Sequence, residues 1–197
     1  FVDSRPDHPG IDENKIEVVH NAVSEKFRSL PDEQAERYIL AVSSLNYQKN
    51  FYALVKAFNT LDDKTIKLFL VGALNKNFAD HKLLEDIDRN PNIKFMGRVD
   101  DEELVQLYSN AQCFVYPSLY EGFGIPPLEA QACGCPCVVS NAASLPEVCS
   151  DSVVYCDPFD ESDISKKIQL VISDETLRSE LRLKGFKNIK RFSWVKS

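Results

Sequence analysis

The sequence predicts a doubly wound α/β domain: a parallel sheet with helices on both faces. Three observations carry this. Short apolar, β-branched runs alternate with amphipathic stretches along the chain, the pattern of repeated βαβ units. The runs are continuous rather than alternating in polarity, as strands are when helices cover both sides. No Pro/Gly/Ser-rich linker, internal repeat or low-complexity tract divides the 197 residues. A chain of this length buries roughly two-thirds of its unfolded surface, enough for one continuous core.

Residues 1–14 are polar and Pro/Gly-bearing and read as an irregular lead-in, with the domain occupying residues 15–197. The strand candidates are Lys15 to His20, Tyr38 to Ser43, Lys67 to Gly72, Ile93 to Met96, Cys113 to Tyr116, Cys137 to Ser140 and Val153 to Cys156. The first helix shows its face through Phe51, Leu54, Val55, Phe58 and Leu61, spaced i, i+3, i+4, i+7, i+10. Phe78, Leu83, Leu84 and Ile87 mark a second. A third begins at Asp100, with Glu103 three residues on as a capping-box variant, and turns Leu104, Leu107 and Tyr108 inward. Another leaves the Cys113 strand through a long loop and ends near Cys133, with Gly134 at C′. Two helices close the chain, one burying Ile164, Ile168, Val171 and Ile172, the next Leu177, Leu181 and Phe186.

Charge and composition exclude several function classes. With 23 Lys and Arg against 30 Asp and Glu, the net charge of −7 repels a phosphate backbone, so no nucleic-acid partner is expected. No apolar run approaches the ~18 residues of a membrane span, and the start lacks the basic and apolar regions of a signal peptide. The only methionine is Met96, so the chain reads as a fragment or processed piece. The six cysteines read as structural thiols. A chain with core to spare does not need a disulfide framework, and the alternation Cys133, Cys135, Cys137 is wrong for zinc. His8, His20 and His81 are scattered without a carboxylate or cysteine at ligand spacing, so no metal site is expected.

In such sheets ligands bind beyond the carboxyl ends of the strands. The loop after Tyr116 stands out there: Pro117-Ser-Leu-Tyr-Glu-Gly-Phe-Gly-Ile-Pro-Pro-Leu-Glu129. Pro126 and Pro127 suit a first helical turn, whose amides have no internal partner. Gly122 and Gly124 allow close backbone approach, so amides near Phe123, Gly124 and Ile125 can meet an anion above a helix N-terminus. Glu121 and Glu129 would repel a diphosphate but can accept hydrogen bonds from hydroxyls flanking it, which fits a sugar on one side and a ribose on the other. The plain alternative is a solvated Glu121 and a Glu129 favoured in a first turn by the helix dipole. Spacing alone leaves both open.

The run Glu121-Gly-Phe-Gly-Ile-Pro-Pro-Leu-Glu129-Ala-Gln-Ala-Cys-Gly134 closely resembles the signature of glycosyltransferase family 4, the retaining sugar-nucleotide transferases of GT-B fold. The resemblance extends through Asn21-Ala22, Lys49-Asn50, Leu70-Val71-Gly72, Phe95-Met96-Gly97-Arg98-Val99, Leu145-Pro146-Glu147-Val148 and Phe192-Ser193-Trp194. It implies a Rossmann-like domain forming the C-terminal, donor-binding half of a GT-B enzyme, with the N-terminal acceptor domain lying outside this chain. By resemblance Glu121 binds donor-sugar hydroxyls, Gly122, Phe123, Gly124 and Ile125 meet the sugar and diphosphate, and Glu129 binds the ribose. Lys49 neutralises the leaving diphosphate, and backbone near Val99 contacts the base.

One departure matters. Many family members carry Gly-Arg after the first strand of this domain, where Ser43-Ser44 stands here, and Ser44 cannot replace a bidentate phosphate clamp. The resemblance further implies a GDP- or UDP-sugar as substrate, no cofactor and no metal. It implies hexosyl transfer, of mannose among the options, to a glycan or lipid-linked acceptor in polysaccharide or lipopolysaccharide biosynthesis. A cytoplasmic enzyme is expected, with peripheral membrane association through its acceptor left open. Two other readings share these residues: a GT-B enzyme that is not a transferase, such as a sugar-nucleotide epimerase, and a non-catalytic nucleotide-sugar binding module. Glu147 is placed in the loop after the Ser140 strand, bordering the sugar or acceptor, and Trp194 anchors against the partner domain.

Overall fold

The computed structural model describes residues 20–31, 36–44, 46–73 and 81–192. The lead-in, most of the Lys15–His20 strand candidate, Phe78 and Trp194 lie outside the described residues. Among the described residues six parallel strands form one sheet: β1 (Tyr38–Val42), β2 (Lys67–Val71), β3 (Ile93–Gly97), β4 (Cys113–Tyr116), β5 (Cys137–Ser140) and β6 (Val154–Cys156). Their order is β3-β2-β1-β4-β5-β6, and β1 pairs with β4 through Ile39↔Cys113 and Leu40↔Phe114.

Among the described residues seven helices connect or follow these strands: α1 (Phe51–Asn59), α2 (His81–Arg89), α3 (Asp101–Asn110), α4 (Ile125–Ala132), α5 (Leu145–Cys149), α6 (Glu161–Ser173) and α7 (Glu175–Ile189). Alternation along β1 divides the core. Ile39 and Ala41 join the apolar faces of α1, α2 and α6, whereas Tyr38 and Leu40 join those of α3, α4 and α5. Every inward position read for α6 is buried, and Leu181 of α7 joins the same layer. In α3, Val105 is buried together with Leu107 and Tyr108, while Leu104 is only half-buried.

Local chemistry sets the element ends. The Asp100 carboxylate accepts from the Glu103 amide at 2.9 Å, which starts α3. Asp160 and Asp174 cap α6 and α7 in the same way. At the end of α4 the Cys135 amide reaches Ala130 O and the Gly134 amide reaches Gln131 O, the two bonds of a Schellman motif. The sequence reading misses α5, placing Glu147 in the loop after the Ser140 strand, next to Pro146. In the structure Pro146 occupies the first turn, where a missing N–H is no loss, so Glu147 is an exposed helical residue.

The strand order places the site. β1 leads to α1 on one face, while β4 leads to α4 on the other, so the loops after β1 and β4 diverge and leave a crevice between adjacent strands. Open α/β sheets bind ligands at this topological switch point.

Candidate functional site

Lys49 ends a single 3-10 turn, Tyr47–Lys49, in the loop after β1. The Asn46 side chain accepts from the Lys49 amide at 3.2 Å and fixes the turn. Asn50 follows in the left-handed region (φ 57°), which Asn tolerates better than most residues. Its side-chain amide donates to Pro117 O at 3.1 Å and Pro158 O at 2.7 Å, tying together the loops after β1, β4 and β6. The Leu119 amide donates to Gln48 O at 2.8 Å, a second tie between the first two loops.

These ties bring the two residues expected to do the chemistry into direct contact. Lys49 Nζ lies 2.6 Å from Glu121 Oε1, with the side chains only 19% and 11% exposed. The same ammonium donates to the Tyr116 hydroxyl at 3.3 Å and sits over its ring. Burial, reinforced by the Glu121 charge, drives the Tyr116 phenol far above its usual pKa, so it stays a neutral hydroxyl beside the pair. Ser118, fully buried, donates to Glu121 Oε1 at 2.6 Å. The sequence reading treats Lys49 and Glu121 as separate ligands of diphosphate and sugar. The structure pairs them instead, because two nearly buried opposite charges are costly apart.

The backbone of the Glu121 loop is held from beneath by serines on and beyond β5. Ser140 Oγ donates to Ser118 O at 2.5 Å, and Ser144 Oγ lies 3.0 Å from both Glu121 O and Phe123 O. The loop is thereby rigid while its amides stay open: among the described residues no backbone carbonyl accepts from the Gly122, Phe123, Gly124 or Ile125 N–H. The two glycines differ. Gly124 caps α4 at φ +101°, and a Cβ there would meet Leu145 Cδ2 at 2.6 Å, so the fold itself demands glycine. Gly122 meets nothing within 4 Å, so open space lies where its side chain would be.

Glu129 is the fifth residue of α4, one turn in from the free amides and beyond the first turn. The helix dipole is therefore not what selects it. Its Oε2 accepts from the Tyr108 hydroxyl at 3.3 Å. Burial raises the carboxyl to about 6, partly opposed by that hydrogen bond. Val99 lies in the loop between β3 and α3, half-buried against the α3–α4 layer of the core, beside an exposed Arg98. Ser44 is exposed and accepts from Asn46 Nδ2 at 3.1 Å. Val99 and Ser44 stand apart from the Lys49–Glu121 pair, on neighbouring loops at the same end of the sheet.

All six cysteines are buried and unpaired, and burial raises each thiol, Cys149 to about 12, as suits inert core residues. Among the described residues no group of three His, Cys, Asp or Glu side chains is arranged to hold a metal ion. No helix among them is long and apolar enough to cross a membrane. The sequence reading gives no role to Ser118, Tyr116, Tyr108, Asn50 or Ser144. Only the position of Tyr116 at the end of a strand and of Ser118 within the signature loop signalled them.

Residues 23–188 match the family of glycosyl transferases group 1. The chain belongs to this family. Two relatives calibrate the match. O-antigen chain mannosyltransferase B of Escherichia coli is 37% identical over 161 residues, 80% of this chain and 42% of that protein. O-antigen chain mannosyltransferase RfbU of Salmonella typhimurium is 31% identical over 159 residues, 81% and 45% respectively. The chain thus spans less than half the length of these relatives. Among solved structures, Anabaena Alr3699/HepE in complex with UDP and glucose superposes with a TM-score of 0.80 at 19% identity, over 91% of this chain and 53% of that one. Sucrose-phosphate synthase from Thermosynechococcus elongatus gives 0.79 at 24%, over 89% and 48%. At such identities the likeness is one of fold: a Rossmann-like unit equal to about half of a GT-B glycosyltransferase.

Proposed function

We propose that this chain is the donor-binding half of a retaining, metal-independent glycosyltransferase that moves a hexose, mannose by preference, from a nucleotide diphosphate sugar to a glycan or lipid-linked acceptor. The observation that carries the reading is the arrangement at the switch point: the Lys49–Glu121 pair at 2.6 Å on one side, the open amides from Gly122 to Ile125 in the middle, and half-buried Glu129 on the other. A ligand with hydroxyls on both sides of a diphosphate matches this order of groups. In the proposal Glu121 accepts from the donor sugar, Glu129 from the ribose, the backbone near Val99 meets the base, and Lys49 turns to the leaving diphosphate as the glycosidic bond breaks. Ser44 supplies no charge, so Lys49 and the amides carry the diphosphate.

Two named relatives are O-antigen mannosyltransferases, which supports mannose transfer and polysaccharide assembly; the reading places that assembly at the cytoplasmic face of a membrane. In this reading a preceding domain supplies the acceptor, the diphosphate itself assists acceptor deprotonation, and the chain alone binds donor without turnover. No cofactor or metal takes part. The net charge of −7 does not oppose it, since local donors decide the binding of a single small anion. Calorimetry of the chain with GDP-mannose, UDP-glucose and an ADP-sugar tests the reading. Saturable binding to one of them, abolished in Glu121→Ala, is the expected result, and no binding to any would overturn it. Product analysis of the complete enzyme with a glycan acceptor distinguishes transfer from epimerisation.

A further inference from the structure

The proposed chemistry leaves the Ser118 hydroxyl unused. It is fully buried, sits three residues before Glu121, and faces three acceptors with one proton: Glu121 Oε1 at 2.6 Å, Gln48 O at 2.9 Å and Tyr120 O at 3.3 Å. The carboxylate takes that proton, because 2.6 Å is the length of a charge-assisted O–H···O⁻ bond and the other two contacts are longer. Glu121 Oε1 therefore holds two donors, Ser118 and Lys49, with the Tyr116 hydroxyl also beside the carboxylate, and among the described residues no other side chain donates to Oε2.

The two donors differ in what holds them. Lys49 is a long, flexible side chain, and a diphosphate would compete for its ammonium. Ser118 is short, its carbonyl is pinned by Ser140 Oγ at 2.5 Å, and the following amide is pinned to Gln48 O at 2.8 Å. When an anion draws Lys49 away, Ser118 is the donor that remains.

We infer that Ser118 is a positioning residue, which anchors Glu121 Oε1 so that Oε2 is presented to a sugar hydroxyl of the bound donor after Lys49 has been released to the diphosphate. This rests on the donor-site reading of Glu121. It separates the two carboxylate oxygens into a structural one and a substrate one, and it makes Ser118 matter for the sugar but not for the nucleotide.

The test compares Ser118→Ala and Ser118→Thr with the unaltered chain by calorimetry, using GDP with GDP-mannose and UDP with UDP-glucose as matched probes. For whichever pair binds, Ser118→Ala should weaken the sugar nucleotide about tenfold, the scale of one hydrogen bond to a charged group, while the affinity for the bare nucleotide stays within about twofold. Ser118→Thr, which keeps the hydroxyl, should recover much of the loss. Ser140→Ala, which loosens the same loop without touching Glu121, separates loop distortion from lost donation: it should weaken both probes of a pair alike. Unchanged sugar-nucleotide affinity in Ser118→Ala overturns the inference, and so does an equal loss for both probes. If either variant fails to fold, an Asn50→Gly chain gives the same comparison with the loop tie removed and Ser118 intact, and a selective loss of sugar-nucleotide affinity there would also count against Ser118. Failure of the unaltered chain to bind any probe instead overturns the donor-site reading on which the inference rests.

Discussion

Gly122 and Gly124 stand two residues apart in one motif, yet the structure gives them different reasons to be glycine. Gly124→Ala places a Cβ at φ +101° and 2.6 Å from Leu145 Cδ2, so it should cost about 1–3 kcal/mol, read as a fall in the denaturation midpoint. Gly122→Ala meets open space and should leave stability within about 0.5 kcal/mol while weakening nucleotide-sugar binding, because its side chain would stand where the ligand approaches. Glu129 offers a pH test. Its folded pKa, about 6, lies above the ordinary carboxylate range. The folded state therefore binds its proton more tightly than the unfolded chain does. The resulting stability is fully present below the unfolded pKa and is lost as pH rises through about 6, so at neutral pH the ionised group burdens the fold. Glu129→Gln should raise stability at pH 7.5 by about 1–2 kcal/mol, with the gain vanishing near pH 4. The same variant should weaken nucleotide binding. A stability curve that is flat in pH for the difference between the two chains would refute the assignment.

At the scale of elements, the site depends on how the loops after β1, β4 and β6 are laced. Asn50 does this with two side-chain hydrogen bonds from a left-handed backbone. Asn50→Ala should cost about 2–3 kcal/mol by urea titration, since it loses both bonds and strains φ, whereas Asn50→Gly should recover the backbone part. The helices themselves were legible from apolar spacing and caps: α1, α3 and α6 follow the expected faces because one stripe of each must meet the sheet. The element that escaped, α5, is five residues long, with a proline in its first turn. So short a helix shows no periodicity, and its stability comes from Leu145 and Val148 entering a core that only the fold assembles. The 3-10 turn carrying Lys49 escaped for the same reason.

At the scale of the whole molecule, a ligand that binds only the folded state should stabilise it by about 2.7 kcal/mol at a hundredfold excess over Kd. Thermal unfolding with the proposed donor should therefore rise by several degrees, and Glu121→Ala should abolish the rise. That measurement checks the site without requiring turnover. The sequence by itself determined the doubly wound class, the six strands of the described sheet, most helices and the identity of the acidic, glycine-bearing loop. Those features are written in local pattern: strand runs, apolar stripes, caps and a motif contiguous along the chain. What only the tertiary structure decided is which groups meet. Lys49 and Glu121 are 72 residues apart, and Tyr108 and Glu129 are 21 apart. Their contacts follow from the order β3-β2-β1-β4-β5-β6, which sets β1 beside β4. Pairing across such separations is fixed by sheet topology and by the burial cost of leaving a charge alone, and neither is a property of any short stretch of residues.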